Sequence, residues 1–201
     1  DVFDDAGRPL SAGTGELVCT RPFPATPLGF WGDTDGSRFR ASYFARFPGV
    51  WTHGDFAART PAGGFVILGR SDAVLNPGGI RIGTAELYAV AEADPGVAEC
   101  LAVAQRRGAD ERVVLFVVPA PGTAVDDTFR ERLRARIRTA LTPRHVPAVI
   151  AGVTELPRTR NGKLAELAVR AVIHGEPVAN RDALANPDSL AQFAGRPELA
   201  G

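Results

Sequence analysis

The chain of 201 residues holds one lysine against twenty-two arginines, and that lysine, Lys163, closes the segment Pro157-Arg158-Thr159-Arg160-Asn161-Gly162-Lys163. Wherever a generic positive charge serves, the chain uses arginine. Lys163 therefore points to chemistry that an ammonium performs and a guanidinium does not. An ammonium is a compact, strongly hydrated point charge on a flexible stem, and it can be acylated or lose its proton; a guanidinium is a planar, permanently charged fork. Only the ammonium fits between a carboxylate and a phosphate. The preceding Asn161-Gly162 is a turn dipeptide, which projects the lysine from an exposed loop.

Two further segments carry groups suited to a nucleotide. Trp51-Thr52-His53-Gly54-Asp55 reads as a strand that ends on a glycine and an aspartate. A carboxylate there can accept from vicinal hydroxyls such as those of a ribose, although Gly-Asp is also a common turn. Next come Gly69-Arg70-Ser71-Asp72, a charged hinge-like stretch, and Asn76-Pro77-Gly78-Gly79-Ile80-Arg81-Ile82. In that loop glycine permits positive φ and close approach of the backbone to a ligand. Arg130, Arg134 and Arg138 recur every four residues and form a row that can face an anion; a solvated helix face reads equally well. His53, His145 and His174 lack a partner pattern and read as structural. Trp31, Trp51 and the phenylalanines of the first seventy residues read as core.

The elements that must position these groups fall into two stretches. Residues 1–70 show short β-like runs at Glu16–Cys19, Leu28–Trp31, Val50–Thr52 and Gly64–Leu68, with a helical insert at Phe39–Phe47. Strands this short, separated by turn formers, predict a small barrel or distorted sheet. After them, Thr84–Ala93 has an N-cap threonine and an early Glu86, which predicts a helix. Val97–Ala104 and Arg112–Val118 are strand-like. Asp126–Leu141 carries Phe129, Leu133, Ile137 and Leu141 on one helical face. Val149–Val153 is a further strand, and Leu164, Leu167, Ala168, Ala171 and Val172 mark the stripe of another helix. Helices on one face of a small sheet give an α+β domain. The tail Glu176–Gly201 has little periodicity and is expected to wrap the surface.

Composition excludes several classes. With 23 acidic and 23 basic side chains the net charge is zero, which argues against nucleic acid or an anionic membrane as the main partner. Cys19 and Cys100 are isolated, so a reduced, cytoplasmic protein without a structural metal is expected. There is no methionine, even at position 1, and the chain is expected to begin inside a longer polypeptide.

In order and at these intervals, the Gly-Asp, the Gly-Arg-x-Asp hinge, the Gly-x-Arg-Ile loop and the Pro-x4-Gly-Lys ending resemble the late motifs of the adenylate-forming superfamily. That superfamily includes acyl-CoA synthetases, peptide-synthetase adenylation domains and luciferases. One departure is Asn76, where the hinge loop usually carries lysine. Gly69–Gly79, Tyr43–Asp55, Gly83–Tyr88, Pro143–Pro147 and Asn186–Leu190 look like the acetoacetyl-CoA synthetase branch. The resemblance covers nearly the whole chain and places it as roughly the last third of such an enzyme.

The resemblance implies residues 1–70 as the end of a large N-terminal domain, 71–72 as a hinge and 73–201 as a mobile C-terminal lid with its tail. It implies an acid–thiol ligase that uses ATP with Mg2+ to make an acyl adenylate from acetoacetate and then transfers the acyl group to coenzyme A; acetate or propionate is the alternative acid. Asp55 would accept from the ribose, with Arg70 donating nearby, and Asp72 would be the pivot. Lys163 would bridge carboxylate and α-phosphate as the catalytic residue. Gly79 would line the pantetheine tunnel, Arg81 would approach the nucleotide phosphate, and Arg138 aligns with a position that contacts the 3′-phosphate of coenzyme A. A protein lysine acetyltransferase and a deacylase acting on Lys163 are implied partners, and serving chiefly as an acetyltransferase substrate is the rival reading. The phosphate loop and acyl pocket would lie upstream, leaving the isolated 201 residues inactive.

Overall fold

The computed structural model describes residues 1–108 and 110–200; Ala109 and Gly201, the last residue of the expected tail, lie outside the described residues. The chain forms two compact units, Asp1–Asp72 and Ala73–Gly201.

In the first unit, β1 (Val2–Phe3), β2 (Gly13–Cys19), β3 (Trp51–Arg59) and β4 (Phe65–Arg70) form one antiparallel sheet in chain order. It is the distorted sheet of the two expected alternatives. The run expected to end at Asp55 continues through it to Arg59. Two steps along β2, from Glu16 to Val18, span four along β3, from Phe56 to Thr52. The surplus is a bulge around His53-Gly54-Asp55, with Gly54 at φ 80. Bulges bend a strand and re-aim its side chains.

Leu28–Trp31 is not a strand. Pro22, Pro24 and Pro27 withhold ladder donors from this stretch, and Leu28 and Trp31 are 106% and 99% exposed. That corrects the expectation of Trp31 as core. Trp51 is buried and stacks on Tyr43 with ring centroids 3.7 Å apart. The helical insert, α1 (Ser37–Tyr43), starts and ends earlier than expected. The Asp33 carboxylate fixes its start by accepting from the amides of Arg38 and Phe39, since the first N–H groups of a helix have no partner within it.

The second unit is built on β5 (Val97–Arg107), β6 (Asp110–Pro119) and β7 (Val149–Gly152), in the order β5-β6-β7. β5 and β6 are antiparallel, and β7 joins β6 in parallel. A parallel neighbour needs a crossover, here α3 (Asp127–Ala140), capped by the Asp126 carboxylate on the Phe129 amide at 2.8 Å. α2 (Thr84–Glu92) has Gly83, not Thr84, at its N-cap; Thr84 is its first helical residue and is buried.

Strands β5 and β6 read as near-continuous apolar runs because both faces of this sheet are covered. Cys100, Ala102, Leu115 and Val117 pack on α2 and α3 through Leu87, Phe129, Leu133 and Ile137. Leu101, Val103, Val114 and Phe116 pack on α4 (Glu166–Ile173) and on the tail. Helices on one face alone are thereby corrected. So is the tail as a surface wrap, because Leu184, Leu190, Phe193 and Leu199 are core residues. Phe193 is fully buried and meets Phe116 edge-on at 4.7 Å. In α4 the buried pair is Ala168 and Val169, while Leu167, expected on the apolar stripe, is 46% exposed. Phe193→Ala is therefore expected to destabilise this unit by about 3–5 kcal/mol, read as a lowered urea midpoint. A loss below about 0.5 kcal/mol, the usual effect of a surface change, would show the tail to be peripheral.

The outer edge of β7 is closed by arginines. Arg130 donates to the Ile150 carbonyl at 3.0 Å, and Arg134 to those of Pro147 and Ala148 at 3.2 and 3.1 Å. Arg196 donates to Gly152 at 3.1 Å. Unpaired edge carbonyls are a template for unwanted pairing, and covering them removes it.

Candidate functional site

In the first unit the ladder sets Asp55 opposite Arg70. The Asp55 Oδ1 lies 3.3 Å from Arg70 Nη1, and its Oδ2 lies 2.5 Å from His53 Nδ1. Arg70 Nε is also 3.6 Å from Asp72 Oδ1. One guanidinium thus links the candidate ribose acceptor to the candidate pivot. His53 was read as structural, yet it touches the candidate carboxylate. The signal was its position two residues from Asp55, across the single glycine between them. Gly54 is required between them: a Cβ there would lie 2.8 Å from Arg70 Nη2, at a φ of +80°. Gly54→Ala should push Arg70 off Asp55. In the full-length protein this is expected to weaken nucleotide binding about tenfold, the worth of one charge-assisted hydrogen bond, by calorimetry with AMP. Unchanged affinity would separate Arg70 from the nucleotide.

In the second unit the glycine loop is a single 3-10 turn, Pro77–Gly79, with Gly78 and Gly79 at φ 60 and 77. Mutual backbone bonds between Leu75 and Ile82, at 3.0 and 2.8 Å, close its base. The Gly78 amide donates to Asp110 Oδ1 at 2.9 Å. The amides of Glu111 and Gly78 hold the Asp110 carboxyl below the usual carboxylate range. A Cβ on Gly78 would strike Arg144 at 2.7 Å, whereas at Gly79 it would meet open space. Arg81 lies on the same loop, next to the closing Ile82.

Lys163 sits at the end of a tight turn and is exposed. Thr159 and Lys163 pair through a backbone bond of 2.8 Å, and the Thr159 hydroxyl accepts from the Lys163 amide at 3.2 Å. Arg158 donates to the Gly162 carbonyl at 2.8 Å and pairs with Glu99, at the start of β5, at 3.1 Å. α4 follows directly, and its first residue, Glu166, accepts from the Tyr88 hydroxyl at 3.1 Å. That hydroxyl in turn accepts from the Ala102 amide. Burial first, and then the Glu166 charge, raises the Tyr88 pKa well above its usual value, so it remains a donor.

The two loops are not brought together. Glu99, beside the lysine turn, pairs with Val118, whereas Asp110, beside the glycine loop, pairs with Arg107. Eight strand residues separate the two rungs, about 25 Å at the usual strand rise. Lys163 and Gly79 therefore belong to opposite ends of one rigid ladder.

The arginine row of α3 is divided. Arg130 and Arg134 are occupied by β7 carbonyls, which corrects their reading as anion-facing, while Arg138 is exposed with no hydrogen bond or ion pair among the described residues. His174 is structural, donating from Nδ1 to the Arg170 carbonyl and accepting the Arg106 amide at Nε2. His145 contacts Thr142 and lies 3.7 Å from Glu86.

Comparison with known proteins places this unit beside the C-terminal domains of adenylate-forming enzymes. Residues 86–163 match the family of AMP-binding enzyme C-terminal domains. More particularly, nearly the whole chain is similar to part of the acetoacetyl-CoA synthetases. It is 55% identical over 99% of its length to acetoacetyl-coenzyme A synthetase of Rhizobium meliloti (strain 1021), covering 31% of that protein. It is 44% identical over 99% of its length to acetoacetyl-CoA synthetase of Gallus gallus, covering 30%. The solved structure of acetoacetyl-CoA synthetase from Streptomyces lividans superposes with a TM-score of 0.88 at 40% identity, over 96% of this chain and 29% of that one. The chain thus spans less than a third of the length of the relatives it matches.

Proposed function

We propose that the chain is the C-terminal portion of an ATP-dependent acid–thiol ligase that acts on acetoacetate. In the first half-reaction a carboxylate oxygen attacks the α-phosphorus of ATP, giving acyl adenylate and releasing pyrophosphate. In the second, the thiol sulfur of coenzyme A attacks the acyl carbon, the thiol proton is lost, and AMP leaves. Lys163 offsets the charge that builds on the α-phosphate, which is electrostatic stabilisation of a transition state. Asp55 and Arg70 hold the ribose, Arg81 approaches the phosphate, Gly79 lines the thiol's path and Arg138 meets the 3′-phosphate of coenzyme A. The Mg2+ accompanies ATP as part of the substrate. Among the described residues no group of three or more His, Cys, Asp or Glu is placed to hold a metal ion.

The observation that carries this reading is the separation of the Lys163 turn from the glycine loop along one ladder. A lid that presents first one end and then the other serves two half-reactions with two sets of residues, and Asp72 is the proposed pivot. Acetoacetate rests on the names of the relatives. The test is mass spectrometry of the adenylates that the full-length protein forms from a panel of short acids. Acetoacetate should react fastest; preference for acetate or propionate would overturn the substrate.

Acetylation of Lys163 belongs to the same reading, since it removes the charge the first step requires. Arg158 and Arg160 flank the turn, and a free guanidinium there could dock on an acidic groove of an acetyltransferase. Arg158 is bound to Gly162 and Glu99, so the exposed Arg160 alone fits that part. Intact-mass analysis after incubation with a protein lysine acetyltransferase and acetyl-CoA should show one acetyl group on Lys163, removable by a deacylase. Its absence, with a control synthetase modified in parallel, would end the regulatory reading.

A further inference from the structure

We infer that the tail positions Lys163 through Asn186, an inference that rests on the proposed role of this lysine in adenylation. Residues 158–160 lie between two single β-bridges. On one side Arg158 bridges Leu164; on the other, Thr159 bridges Leu184 in the tail. Two backbone bonds frame the tail bridge, from the Arg160 amide to the Ala183 carbonyl at 3.0 Å and from the Ala185 amide to the Arg158 carbonyl at 2.8 Å.

Asn186 fastens the end of that strand with every polar atom of its side chain. Its Oδ1 accepts from the Arg158 amide at 2.9 Å. Its Nδ2 donates to Glu155 Oε2 at 2.9 Å and to the Leu156 carbonyl at 3.0 Å. The Ser189 hydroxyl donates to its backbone carbonyl at 2.7 Å. Beyond it, Leu190 and Phe193 are buried in the core, and before it so is Leu184.

The physical need for this arrangement is plain. A two-stranded turn on its own is marginal in water, and packing it against further elements stabilises it. Without the tail, Lys163 would stand on a frayed hairpin braced by the side chains of Arg158 and Thr159. With it, the turn is pinned to the same core that holds β5. Asn186 touches no reacting group; it is a positioning residue that acts through the 158–163 turn.

The experiment compares Asn186→Ala with the unsubstituted full-length protein, beside Lys163→Ala, in both half-reactions. Misplacing a charge by about 1 Å costs on the order of a hundredfold, so adenylation should fall by about tenfold to a hundredfold. Thiol attack on supplied acyl adenylate should stay within about twofold, because Lys163 takes no part in it. Asn186→Asp should fail similarly, since it loses both donor bonds and sets a carboxylate against Glu155. Adding Glu155→Gln should restore much of the adenylation rate, the new amide donating to the new carboxylate. Hydrogen exchange at the Gly162 and Ala165 amides should quicken in Asn186→Ala and recover in the double variant. Equal loss of both half-reactions, or unaltered exchange, would reduce Asn186 to a general fold contact and overturn the inference. If Lys163→Ala spares adenylation while exchange quickens in Asn186→Ala, the clamp stands as structure and the proposed function is what fails.

Discussion

Lys163→Ala in the full-length protein is expected to slow adenylate formation by about 10²–10³-fold, the usual loss when one preorganised charge or donor is removed from a transition state. Thiol attack on a supplied acyl adenylate should remain near the unsubstituted rate. The asymmetry follows from the proposed division of labour, in which the two ends of the ladder serve different steps. Lys163→Arg should fail almost as badly despite keeping the charge, because the planar fork does not occupy the space of an ammonium. The measurement is pyrophosphate release for the first step and thioester formation for the second. Equal losses in both would place Lys163 in the site throughout the cycle and remove the case for alternation.

Asp72→Pro has an effect of a different kind. Proline fixes φ near −65° and removes the backbone donor, so a residue that must change its dihedrals is held in one state. One half-reaction should persist and the other fall by two orders of magnitude or more, by about the factor that separates an assembled site from a dismantled one. Asp72 also lies 3.6 Å from Arg70, and Asp72→Ala controls for the lost carboxylate. If the alanine variant behaves like the proline variant, the effect belongs to the ion pair. If the proline variant keeps both steps, the domain turns about another residue.

Much of this was legible in the residues. The apolar runs of β5 and β6 and the four-residue stepping of Phe129, Leu133 and Ile137 gave the centre of the second unit, because long buried elements carry strong periodicity. The tail was misread for the opposite reason. Its Leu184, Leu190, Phe193 and Leu199 sit on short 3-10 turns and bends, which leave no regular spacing to read. The hydrophobic pattern also could not say how many faces of the sheet were covered until that tail was placed. In the first unit, Val50–Thr52 was visible but its extension to Arg59 was not, because the bulge at Gly54 breaks the alternation of strand residues. Trp31 shows the limit of composition alone, since a large aromatic side chain need not be buried. The candidate site was the most legible part. Lys163 and the glycine loop stand out by type and Asp55 by its place in the run of motifs, whereas the His53 contact depends on a local bulge and the Asn186 bonds on register between distant segments.

The arginines along β7 carry a further meaning. The side chains described at that edge are guanidinium groups, as are the cations that brace the Lys163 turn and pair with Asp94 and Glu176. Mild acyl donors react with free amines and leave guanidinium groups intact, because these stay protonated throughout the physiological range. In the ligase proposed above, leaked mixed anhydride would meet these groups, and lysine in the scaffold positions would slowly lose its charge and its grip. With arginine in their place, chemical wear cannot reach the scaffold. It would fall on one side chain, so under the regulation proposed above damage to this chain and control of it would meet at the same atom, Nζ of Lys163.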